Sequence, residues 1–121
     1  MPLLLSEAIR LGSLLVPEPR PYISARCAIG MALLANGIHP AIYEDYRAIL
    51  QLYPWLSRTW VSCPWCNRTP ENGVGILTHP FDHHIMIGRI IRLEQLCDWI
   101  AGFELPEEFA EGAKSVLALP A

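Results

Sequence analysis

Apolar residues recur at helical steps along most of this chain, and proline and glycine cut the pattern into segments. Ser6 can cap a first helix, Glu7 favours its opening turn, and Ala8, Ile9, Leu11, Leu14 and Leu15 supply an apolar stripe. Pro17, Pro19 and Pro21 end it, because successive prolines cannot donate to a helical ladder, and Pro17 to Tyr22 reads as a stiff connector. A second helix is predicted from about Ser24 through Cys27, Ala28, Met31, Ala32, Leu34 and Ala35, with a stop at Asn36-Gly37. Its small residues mark it as central and nearly buried. Gly30 inside it costs about 1 kcal/mol relative to alanine unless close packing needs the missing side chain, and Cys27 reads as a core thiol. Pro40 opens a third helix from Ala41 to about Tyr53, with Ile42, Tyr46, Ile49, Leu50 and Tyr53 on one face and Asp45, Arg47 and Gln51 towards solvent.

The pattern changes at Leu56. Thr59, Trp60 and Val61 read as a short strand, Asn67 to Gly75 as a turn, and Val74, Ile76, Leu77 and Thr78 as a second short strand. Two such strands cannot stand alone. From Ile85 to Ile91 an apolar run broken by Gly88 reads as a hairpin or an irregular link. Leu93, Leu96, Cys97 and Ile100 then fit a fourth helix ending near Gly102, and Leu105-Pro106 opens a last one through Phe109, Ala113 and Leu117. The expected fold is mainly α (α+β), a single domain over 1–121 with a small zinc-stabilised β-turn or knuckle inserted at about 59–84.

The chemistry concentrates in that weak middle segment. Cys63 and Cys66 bracket two residues, twelve separate Cys66 from His79, and four separate His79 from His84. This Cys-x2-Cys-x12-His-x4-His spacing suits a closed Zn2+ site of two thiolates and two imidazoles. His83, at three residues' separation from His79, fits the same window, so spacing alone leaves His83 and His84 both open. A metal holding the cysteine turn against the histidines would supply the stability the strands lack, since such binding free energy is folding free energy.

Other chemistries fit less well. A groove-reading finger places its histidines on a helix studded with basic residues, whereas Pro80 follows His79 and no such face is present. Arg58, Arg68, Arg89 and Arg92 outnumber Glu71 and Asp82 around the motif, which keeps a nucleic-acid contact as an alternative, although a formal charge of -3 gives no long-range attraction. Cys63-Pro64-Trp65-Cys66 also resembles a thiol-disulfide oxidoreductase motif, but Asn67 to Gly73 is a poor helix and the surrounding βαβ pattern is missing. Hydrolysis at the metal would need a ligand replaced by water, with Asp82 as acid or base, or Asp82 could orient an imidazole instead. No catalytic residue is expected.

Composition adds little more. An apolar share of 52% against 17% charged residues suits either a tightly packed domain or one whose surface is partly covered by a protein partner or a second copy. Leu3 to Leu5 carry no basic leader and no window approaches a membrane span, so a cytoplasmic protein with reduced cysteines is expected.

Five blocks carry a resemblance. These are Leu5-Ser6-Glu7-Ala8-Ile9-Arg10-Leu11-Gly12, Cys27-Ala28-Ile29-Gly30-Met31-Ala32, Cys63-Pro64-Trp65-Cys66, His79-Pro80-Phe81-Asp82-His83-His84 and Leu96-Cys97-Asp98-Trp99-Ile100. Together they resemble a family of small bacterial and phage-associated proteins of unassigned activity, with a Cys-x-x-Cys pair and a His-Leu-Asn-Asp-x-His block. The resemblance implies Cys63, Cys66, His79 and His84 as metal ligands, which favours His84 over His83, and leaves function open; the expected role is a structural or regulatory protein acting through protein contacts, as a component of a larger or phage-related assembly. The chain departs from the family at Pro80 and Phe81, and carries extra residues between His84 and the last shared helix.

Overall fold

The computed structural model describes residues 2–23, 26–41, 44–66 and 70–104. In order these form α1 (Leu5–Leu15), α2 (Ala28–Ala35), α3 (Asp45–Leu52), a 3-10 turn (Pro54–Arg58), β1 (Trp60–Val61), β2 (Glu71–Asn72), α4 (Gly75–His79), a π-helix (Pro80–Ile87) and α5 (Leu93–Ala101). The result is a mainly helical domain with one two-stranded antiparallel hairpin. The expected last helix, Leu105 to Leu117, lies outside the described residues, as does Arg68. Among the described residues no helix is long and apolar enough to cross a membrane.

α2 is the centre, as its small residues predict: every residue from Ala28 to Leu33 is buried. α1 lies across it, held close by Gly12, where an added Cβ would fall 2.0 Å from the Met31 carbonyl oxygen. That approach decides which way α1 faces. Leu5, Ala8, Ile9 and Gly12 point inward, while Leu14 and Leu15 are 82% and 53% exposed. The helix therefore carries two apolar stripes, and the one with the smaller side chains wins the core because it lets the backbones approach.

Three local expectations are corrected. Ser6 does not cap α1 but sits inside it, buried, where its N–H donates to Glu104 Oε2 at 2.9 Å and its hydroxyl to Glu104 Oε1. A carboxylate from beyond α5 thus meets the orphan donors and positive end of α1. Asp45 faces inward rather than to solvent, accepting the Ala41 N–H at 2.7 Å, and α3 begins there rather than at Ala41. Val74 to Thr78 is no strand: β2 is Glu71–Asn72, and the apolar residues that follow belong to α4. The run after His84 divides: Ile85 to Ile87 continue the π-helix, and residues 88–91 form the irregular link, one of its two expected forms.

A closed hydrogen-bond ring ties the N-terminal segment to α2 and α3. The Tyr53 hydroxyl donates to the Leu3 carbonyl at 2.8 Å and accepts from Asn36 Nδ2 at 2.9 Å, while Asn36 Oδ1 accepts the Leu3 N–H at 3.0 Å. Burial pushes the Tyr53 phenol from 10.0 up to about 12, against the pull of the Asn36 bond. The stabilisation linked to that proton is complete below pH 10 and lost as pH rises through about 12. A phenolate absorbance titration is expected to end on a late step that coincides with loss of helical circular dichroism and disappears in Tyr53→Phe. A titration with no such step would contradict the ring.

Candidate metal centre

β1 delivers the first two donors. Val61 pairs with Glu71 and Trp60 with Asn72, and the Asn72 amide fastens β2 by donating to the Thr59 and Ser57 carbonyls at 2.8 and 3.0 Å. Beyond Val61 the chain makes the tight turn holding Cys63 and Cys66. Cys63 is fully buried. Burial pushes its thiol up, as does the adjacent Cys66 sulfur, while the N–H groups of Trp65 and Cys66 turned towards it pull the other way. These donors suit a thiolate that is neutralised by a cation instead of by a proton. Trp65, within the same turn, packs edge-on against Trp99 of α5 with ring centres 5.4 Å apart, docking the knuckle on the helical core.

α4 and the π-helix deliver the histidines, and the change of helix type selects which. In an α-helix, at about 100° per residue, a side chain five positions on points roughly 140° away. His83, four positions after His79, would then share its face. Pro80 has no N–H for the Ile76 carbonyl, so the regular ladder cannot pass through it, and the chain widens into π geometry, whose bonds span five residues. The widened turn brings His84 beneath His79: their Nε2 atoms are 3.2 Å apart and the ring centres 4.8 Å apart at 90°. His83 is left exposed, with its Nε2 3.3 Å from the Tyr22 hydroxyl.

One donor atom from each of Cys63, Cys66, His79 and His84 lies within 4.8 Å of all the others. Cys66 Sγ and His79 Nε2 are 3.3 Å apart. Two nitrogens on a tetrahedral zinc at about 2.05 Å must be about 3.3 Å apart, and a nitrogen and a sulfur about 3.5 Å. These two separations are close to the edges of such a coordination shell. The cluster is a Cys2His2 set compatible with zinc, two donors buried and two partly so. The expectation of zinc-finger spacing thus meets its geometry, with His84 and not His83 completing the set.

Other sequence candidates fall elsewhere. Cys27 and Cys97 sit in the apolar core, where burial pushes both thiols up, Cys97 to about 12. Asp82 is buried, its Oδ1 has no hydrogen-bond partner, and burial raises its carboxyl against the Tyr22 N–H and His83 nearby. Among the described residues, a carboxylate that does face a donor imidazole is that of Glu71, whose Oε1 is 3.9 Å from His79 Nδ1. Sequence reasoning counted Glu71 only as a charge, since no spacing rule links a strand residue to a histidine eight positions on. Arg58, Arg89 and Arg92 are exposed.

The spare histidine gives a discriminating prediction. His84→Ala is expected to abolish stoichiometric zinc uptake, while His83→Ala leaves zinc content unchanged and affects stability by under about 0.5 kcal/mol, as an exposed substitution should. Elemental mass spectrometry of the two purified variants checks it. Equal loss in both, or loss only in His83→Ala, would contradict the π-helical selection. Compared with known proteins, the chain matches no family model, and no curated protein or solved structure matches it significantly.

Proposed function

We propose that this chain is a small structural or regulatory zinc protein that acts through protein contacts, with no catalytic role for the metal. The observation that carries the reading is the convergence of four donor atoms within 4.8 Å. Two thiolates and two imidazoles fill a tetrahedral shell and leave no position for a substrate or an activated water. The ion then does what the short hairpin cannot do alone, holding the cysteine turn to α4 and the π-helix. The fully buried Cys63 argues against dithiol exchange, which needs an accessible thiolate.

Protein contact as the output is supported by exposed apolar side chains. Leu11, Leu14 and Leu15 on α1, and Ile87 and Ile90 around the end of the π-helix, are large and solvent-facing, and the three leucines share one helix, as the apolar surface of a docking site would. The partner is a cytoplasmic protein assembly or a second copy of the chain. Affinity capture with the zinc-loaded protein at low and high salt tests this. Partner retention at high salt is expected. Capture of nucleic acid that fades with salt and with neutralisation of Arg58, Arg89 and Arg92 would overturn it.

A further inference from the structure

The two nitrogens of His79 face different chemistry. Nε2 meets Cys66 Sγ and His84 Nε2 at 3.3 and 3.2 Å, whereas Nδ1 faces the Glu71 carboxylate at 3.9 Å. Glu71 is held on β2, opposite Val61 of the strand that leads to Cys63, and its side chain is only 28% exposed. Its other oxygen, Oε2, occupies the space at Gly75, where an added Cβ would come within 2.5 Å of it. Gly75 opens α4, the helix that ends on His79. The carboxylate therefore lies in a slot between the hairpin and α4 that exists because residue 75 has no side chain.

We propose that Glu71 is a positioning residue for the metal centre: from the slot at Gly75 it holds the proton of His79 on Nδ1 and so keeps the Nε2 lone pair for the zinc ion. The inference rests on the zinc reading of the same site. An imidazole offers a lone pair on one nitrogen only when the proton sits on the other, and a carboxylate facing Nδ1 favours that tautomer, fixes the ring and raises the basicity of Nε2. At 3.9 Å the contact is electrostatic in length, longer than a hydrogen bond, and the field of the carboxylate acts at that range in a partly buried site. Glu71 also couples the two halves of the site, because the hairpin that carries the cysteine turn carries the group that orients a histidine on the opposing helix.

The test is zinc affinity of the full chain by competition with a chromogenic chelator, read together with long-range proton–nitrogen NMR of the imidazoles. Wild type is expected to take one zinc and to show His79 coordinated through Nε2 with a slowly exchanging Nδ1 proton. Glu71→Ala is expected to bind zinc about 10- to 100-fold more weakly and to exchange that proton rapidly. Glu71→Gln, which keeps the shape of the side chain but not its charge, should recover little of the loss, as an interaction carried by the carboxylate's field requires. Gly75→Ala should weaken zinc with Glu71 still present, by filling its slot, and add little in a Glu71→Ala background. Glu71→Ala binding zinc as tightly as wild type, or weakening it while the Nδ1 proton stays slow, would overturn the proposal and leave the metal reading intact. A wild type that takes up no zinc would overturn both.

Discussion

Replacing Cys63 with serine is expected to remove stoichiometric zinc and to lower stability by more than about 3 kcal/mol, a fall of roughly 15 °C in the midpoint of a domain this size. Cys63 is fully buried, and the Trp65 and Cys66 N–H groups are turned to its sulfur. Serine would put a harder, weakly coordinating hydroxyl among the remaining three donors. The hairpin has two residues per strand, and beside the packing of Trp65 on Trp99 it is the shared ion that would fix its turn against His79 and His84. Thermal unfolding with excess zinc and with chelator separates this from a packing defect. Zinc should raise the midpoint of wild type alone, and the two proteins should converge under chelation. A serine variant that keeps its zinc and its zinc-dependent midpoint would contradict the assignment.

Gly12→Ala is expected to destabilise the helical core by about 3 kcal/mol, the upper end of what overpacking produces. The new Cβ would meet the Met31 carbonyl at 2.0 Å, and a backbone atom in the middle of α2 cannot swing aside as a side chain can. α1 must lift from α2, which strains the α1–α5 ion pairs of Arg10 with Glu94 and Asp98 and the Glu104 contacts at Ser6. The effect should be the same with and without zinc, since Gly12 packs on Met31 of α2 and not on any of the four candidate donors. Denaturant unfolding of the two proteins in chelator gives the comparison. A loss below about 1 kcal/mol would show that the helices can slide apart at little cost, as relaxed sites do.

The same residues show how far sequence could reach. The helices around Ala28, Ile49 and Leu96 follow from local periodicity, and the metal donors from spacing, because both signals are short-range. What escaped depends on distant partners. Val74 to Thr78 carries strand-forming side chains, yet it folds as helix because Ile76 and Leu77 must reach the core while His79 turns to the cysteines. Nothing within α1 says whether Ala8 and Gly12 or Leu11 and Leu15 face inward; α2 decides it. Ser6 is a fair cap by type, but Glu104 takes that role from 98 positions away. Spacing alone does not separate His83 from His84; the resemblance favours His84, and the π-helix that follows Pro80 is what brings it to His79.

The central claim is that one zinc ion joins Cys63 and Cys66 to His79 and His84. X-ray absorption spectroscopy of the purified protein, with zinc content measured on the same sample, tests it most directly. One zinc per chain with two sulfur and two nitrogen neighbours, at about 2.3 and 2.05 Å, is the result this account predicts. Protein free of stoichiometric metal with Cys63 and Cys66 joined in a disulfide, or a zinc carrying oxygen in place of an imidazole or thiolate, would contradict it.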